Sequence, residues 1–98
     1  SKYNLDVFDV IVGYMRCNGN HLRKGTPVNA KLGNPGCDHT TVLGAIGAGY
    51  RKKEPGAPVA ELVFALCEVM EWVGICENRA REVVIPQNSR FFNQKSNL

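Results

Sequence analysis

The sequence predicts an all-α fold, a small domain of four to five helices containing a helix-turn-helix. Three observations point there. Apolar residues recur at helical spacing in two stretches: Leu5, Phe8, Ile11, Val12 and Met15 near the N-terminus, and Leu62, Ala65, Leu66, Val69 and Val73 farther on. Residues suited to open a helix stand at Asn4, Thr26-Pro27, Asp38 and Pro58, with Gly- and Pro-rich breaks between the segments they open. A length of 98 residues fits one domain, large enough to bury a modest core without obligatory crosslinks. The expected layout is a single helical domain over 1–86 and a flexible polar tail over 87–98, where Arg90, Phe91, Phe92 and Lys95 are the residues able to grip a partner.

The first helix is expected over residues 4–17. Asn4 is its cap, Asp6 complements the positive end of the helix dipole, and Gly19 in Asn18-Gly19-Asn20 suits the left-handed position that ends it. The β-branched run Val10-Ile11-Val12 keeps a strand as the alternative. His21 to Gly25 reads as a basic loop. Thr26 can cap and Pro27 fits a first helical position, so a short helix is expected over Thr26–Leu32. It has only Val28, Ala30 and Leu32 to bury, and its stability must come from neighbours. Gly33-Asn34-Pro35-Gly36 is a turn by composition.

A second helix is expected from Asp38 to Tyr50. The Asp38 carboxylate suits backbone N–H groups that lack an intrahelical partner. The first turn then presents His39, Thr40 and Thr41, while Val42, Ile46 and Tyr50 bury the opposite face. Gly44, Gly47 and Gly49 each cost about 0.5–1 kcal/mol relative to Ala in a helix interior. They fit close packing of Ala45, Ala48 and Gly49 on another helix, with termination near Gly47 or Gly49. Their Gly-x-x-Gly-x-Gly order is neither a dinucleotide fingerprint nor a P-loop.

Lys52 to Pro58 is a connector, and Pro58 opens the longest helix, to about Val73. Its apolar surface is widened by Val59, Val63, Phe64, Met70 and Trp72, while Glu61, Glu68 and Glu71 mark the wet side. Such a helix either lies deep in the core or also covers a partner. Glu77–Val84 is expected as a last short helix bearing Arg79 and Arg81, with a strand over Val83-Val84-Ile85 as the alternative and Pro86 as the stop.

The run Asp38-His39-Thr40-Thr41-Val42-Leu43 resembles the signature of the C-terminal DNA-binding domain of the bacterial replication initiator DnaA, in which an Asp-His-Thr-Thr-Val-Leu run opens the second helix of a helix-turn-helix. The resemblance covers about a dozen of the 98 residues, from Leu32 or Gly33 to Leu43 and loosely to Lys53. The family carries Arg before the Asp where this chain has Cys37, and a tight Gly-Gly-Arg turn where this chain has Gly33–Cys37. By that match Asp38, His39, Thr40 and Thr41 take contact roles with bases and phosphates.

Charge and composition constrain the function classes. The net charge of +3 gathers at Arg23-Lys24, Arg51-Lys52-Lys53, Arg79 with Arg81, and Arg90 with Lys95, which is compatible with a polyanion partner. Acidic residues inside the first apolar stretch do not fit a signal peptide, and Glu61, Glu68 and Glu71 interrupt the longest apolar stretch. A cytoplasmic protein without a membrane segment is expected. Cys17, Cys37, Cys67 and Cys76 are then expected as free thiols. Cys17, His21, Cys37 and His39 hold the right atoms for zinc, but their intra-pair spacings are unlike those of structural zinc sites. Cys37 beside a helix N-terminus, with His39 nearby, is the candidate nucleophile; neighbours two apart at a helix start point away from each other, and no second acid is identifiable. No enzyme, cofactor or metal is therefore expected.

The leading expectation is double-stranded DNA binding in transcription or replication control. Thr40, Thr41 and His39 would meet base edges or phosphates, and Asp38 would accept from a cytosine amino group. Arg23, Lys24, Arg51, Lys52 and Lys53 would neutralise phosphates. The alternative is a small protein-binding regulator or inhibitor, of the kind a phage or other mobile element encodes, using Val59, Phe64 and Trp72 toward a protein partner or a second copy.

Overall fold

The computed structural model, which describes residues 2–88, is mixed α/β. The N-terminal stripe folds as its spacing dictates. Helix α1, Asp6–Arg16, buries Val7, Ile11, Val12 and Met15, residues three and four apart that share one helix face. Asn4 Oδ1 accepts the Asp6 N–H at 2.8 Å, and Asp6, Asp9 and Arg16 match the dipole at the two ends. Gly19 and Asn20, both at positive φ, turn the chain into strand β1, His21–Arg23.

Beyond β1 the all-α expectation fails. No helix forms over Thr26–Leu32, because its backbone groups find partners across the fold. The N–H of Thr26 donates to Gly36 O, that of Leu32 to Ala57 O, and that of Val59 to Ala30 O, while Lys31 bridges to Pro58. A two-turn helix gains too few internal bonds to compete with such partners. The second helix starts later than Asp38. Asp38 and Thr40 close a local turn, and Thr41, in extended backbone, caps helix α2, Val42–Ala45, by accepting the Gly44 N–H. The helix-turn-helix is thereby excluded, since its first helix is absent and its second lacks the polar first turn.

Helix α2 runs on into one π-helical turn, Ile46–Tyr50. That turn lies against α1 with no room for a side chain at Gly49, where a Cβ would stand 2.6 Å from Val10 Cγ1 and 2.7 Å from Tyr14 Cε1. The predicted close packing of this glycine on another helix is therefore present.

The helix expected from Pro58 begins only at Val63: α3 is Val63–Trp72. Residues 58–62 stay extended, tied to the 30–32 segment, and Val59 is buried in the core instead of on the surface. The expected last helix is a β-hairpin, so the strand alternative was the nearer one. Strands β2, Glu77–Asn78, and β3, Glu82–Val84, pair antiparallel, with Val83 buried between two half-buried neighbours, the period of a strand. Antiparallel pairing of β1 with β3 sets Leu22 opposite Val83 and gives the sheet order β1-β3-β2.

Ile11, Met15, Leu22, Leu43, Ile46, Met70 and Val83 are among the largest fully buried side chains, so the core is shared by α1, α2, α3 and one sheet face. Among the described residues no helix is long and apolar enough to cross a membrane. Of the expected tail, residues 89–98 with Arg90, Phe91, Phe92 and Lys95 lie outside the described residues.

Substituting Gly49→Ala should lower stability by about 1–3 kcal/mol, the usual cost of overpacking a tight contact. Urea unfolding followed by circular dichroism should show a lower midpoint at an unchanged slope.

Candidate nucleic-acid interface

Strand alternation builds this site. In β1 Leu22 points into the core while His21 and Arg23 face out, so the next residue, Lys24, is turned inward again. It is 7% exposed. Its N–H donates to Arg81 O at 2.8 Å, and its carbonyl accepts the Leu43 N–H at 3.2 Å. The side chain carries its Nζ to 5.2 Å from the centre of the Phe64 ring, a cation–π contact. No carboxylate pairs with Lys24 among the described residues. The chain leaves through Gly25 at φ +104, where a Cβ would stand 2.6 Å from Gly36 O; only glycine fits there.

Arg23, Lys24, Phe64 and Arg81 thus line one cavity of about 430 Å³, closed by backbone at Gly25 and Gly36 and with no acidic residue in its wall. Arg79, on the same hairpin, is neutralised by Glu77 and Glu82. Arg81 has no ion pair among the described residues. Three cations around one acid-free concavity make a strongly positive local field.

The Asp38 turn adjoins this cavity through Arg23, whose Nη2 donates to Thr40 Oγ1 at 3.0 Å. The Thr40 hydroxyl and N–H both donate to Asp38 Oδ1, at 2.5 and 2.9 Å. The Thr40 hydroxyl is the main reason the Asp38 carboxyl is held below its usual range; the Thr40 N–H and the nearby His39 and Arg23 add to it, against burial. Thr41 is fully buried, its hydroxyl donating to Asp38 O and accepting from the Gly44 N–H.

The other predicted contact residues disperse. His39 and Lys52 line a separate groove along α1 with Asp9, Tyr14 and Cys17. Arg51 is bound to Glu61, Nε to Oε2 and Nη2 to Oε1 both at 3.1 Å, and its guanidinium lies over the rings of Tyr3 and Tyr50. The Glu61 side chain is only 2% exposed. Tyr3 donates its hydroxyl to the same carboxylate at 2.6 Å. Lys53 Nζ donates to Pro58 O at 2.7 Å. Arg51 and Lys53 therefore anchor the connector. Phe64 and Arg81, absent from the predicted contact set, form two walls of the cavity; the β-branched run Val83-Val84-Ile85 was the one sequence signal for the strand that brings Arg81 beside Lys24.

The three buried thiols, Cys37, Cys67 and Cys76, are poor nucleophiles. Burial pushes Cys67 up to about 11 and Cys76 up to about 12. Burial, then the Asp38 charge, raises Cys37 as well, the reverse of a thiol at a helix N-terminus, and the helix begins only at Val42. Among the described residues no group of three or more His, Cys, Asp or Glu is arranged to hold a metal ion. Comparison with family models, curated proteins and solved structures finds no match to the chain.

Two outcomes test this assignment of roles. Arg51→Met leaves the buried Glu61 carboxylate without its cation and is expected to lower stability by about 3 kcal/mol, measured by urea unfolding. Asp38 titrates lower in the folded than in the unfolded chain, so its turn stabilises above the unfolded carboxyl value of about 4 and loses that contribution as pH falls through the folded value. Asp38→Ala should lower the unfolding midpoint at neutral pH, and the gap from the parent should narrow in acid.

Proposed function

We propose that this is a DNA-binding protein of replication or transcription control, holding its target through the end of β1 and the β2–β3 hairpin. The observation that carries the reading is the convergence of Arg23, Lys24 and Arg81 on one acid-free cavity. Cations so placed recognise phosphate, and phosphate contacts supply most of the affinity of such proteins while carrying no sequence information. The net charge of +3 favours the same partner. The exposed face of α3 beyond Phe64 is unsuited to a groove walled by phosphates, since it presents Glu68 and Glu71 beside Val69 and Trp72. Contact by the strand end and hairpin avoids that face.

A second reading has its own observation. Trp72 is 86% exposed, and Phe64, Val69 and Val73 share its helix or the residue after it. A patch of that kind suits a protein partner, through Phe64 and Trp72 without Val59.

Anisotropy of a labelled random duplex separates the two. With three phosphates engaged, affinity should fall about 40-fold between 50 and 200 mM salt. Arg23→Gln and Arg81→Gln should each weaken binding and lower the salt slope by about one. Absence of binding at low salt would sink the DNA reading and turn attention to Trp72.

A further inference from the structure

Two features of the cavity bear on which phosphate it would hold. Lys24 is more than nine-tenths buried, lines the cavity, and has no carboxylate partner among the described residues. Its stem is packed in the core while its side chain reaches the cavity, where a seated anion would supply the counter-charge it lacks. Phe64 is the second feature: a ring 56% exposed, placed in the cavity wall, with the Lys24 ammonium 5.2 Å from its centre. Exposed aromatic rings beside cations are stacking platforms for nucleobases. Duplex DNA covers both faces of each base with its neighbours and offers such a ring nothing to stack on. An unpaired nucleotide offers both a phosphate and a free base.

The remaining geometry agrees. A volume of about 430 Å³ lies within the span of small-ligand sites, about 300–1,000 Å³. Phe64 belongs to the first turn of α3, which sets its ring in the same wall as the three cations. The ring and the cations come from separate elements, β1, the hairpin and α3, brought together at this cavity.

We propose that the cavity takes one unpaired nucleotide of a DNA strand, its phosphate held by Lys24, Arg23 and Arg81 and its base stacked on Phe64. This rests on the nucleic-acid reading above and assigns single-stranded DNA as the preferred partner.

The test uses labelled oligothymidylate and a duplex of the same length, titrated by anisotropy at low salt, with thymidine monophosphate and inorganic phosphate as competitors. The single strand should bind about tenfold more tightly than the duplex, and Phe64→Ala should remove that preference while duplex affinity stays within about twofold. Phe64→Tyr should keep it. Because Phe64 is exposed, its variants should melt as the parent does, and circular dichroism checks this. Equal affinity for strand and duplex, or equal loss on both in Phe64→Ala, would overturn the nucleotide site while leaving salt-dependent duplex binding intact. Binding to neither overturns both readings. Displacement of the strand by an equal concentration of thymidine monophosphate would overturn the strand as the source and make the ligand a free nucleotide; inorganic phosphate displacing as well as the nucleotide would remove the base from the site.

Discussion

The backbone of Lys24 is the joint on which the fold depends. Its N–H closes on Arg81 O and its carbonyl receives the Leu43 N–H, so one peptide ties the first strand to the hairpin and to the first turn of α2. Either bond, left open in the interior, would strand a buried polar group at a cost of about 1–3 kcal/mol. Because β1 alternates, fixing this backbone also fixes the direction of the side chain, inward and under Phe64. The long excursion after Gly25 must then return alongside, which it does where Arg23 bridges to Thr41 in parallel. Core and cavity are two faces of the same restraint.

The chain sorts its cations by where that restraint leaves them. Arg51 and Lys53 lie in a connector with little regular structure of its own and are consumed in holding it, one on a buried carboxylate beneath two tyrosine rings, the other on a carbonyl. Arg79 meets two carboxylates of its own hairpin. Arg23, Lys24 and Arg81 are adjacent through the β1–β3 pairing and form no ion pair among the described residues, although the Asp38 carboxylate lies near Arg23. A cluster of charges in sequence thus says little about function until the carboxylates within reach are known.

Where local pattern and tertiary partners agree, the sequence is a good guide. The α1 helix needs only its own apolar spacing and forms with Ile11, Val12 and Met15 buried as read, though Val7 is buried and Leu5 exposed, and Gly49 marks a close helix contact because nothing else fits between Val10 and Tyr14. The α3 helix forms but starts five residues late, since Pro58, besides suiting a helix start, faces Lys31 in a strand-like bridge, and it buries Val63, Leu66, Cys67 and Met70, whereas Leu62, Ala65, Val69 and Val73 of the expected stripe lie exposed. Thr26-Pro27 is a true helix-start signal without a helix, because carbonyls distant in sequence take the N–H groups. The hairpin was legible only as the lesser alternative, its two- and three-residue strands being too short for alternation to outweigh a helical reading. The cavity was half legible: Arg23 and Lys24 stand together in sequence, whereas Phe64 and Arg81 reach them only through long-range pairing.

The Asp38-His39-Thr40-Thr41 run illustrates why a short signature is a statement about local structure first. Asp38, Thr40 and Thr41 turn their side chains to internal partners: Asp38 Oδ1 holds Thr40, and Thr41 Oγ1 caps α2 while bonding back to Asp38 O. An Asp followed by two threonines is what a turn leading into a capped helix requires, and that requirement alone accounts for these residue types. Their tie to the cavity is indirect. Thr40, fixed by Asp38, offers its hydroxyl oxygen to Arg23 Nη2, and so restrains a guanidinium that would otherwise lose about 2 kcal/mol of rotamer entropy on meeting a ligand. The signature thus works as a support that restrains one cation, and in the proposed function Arg23 is the group by which it would reach a phosphate.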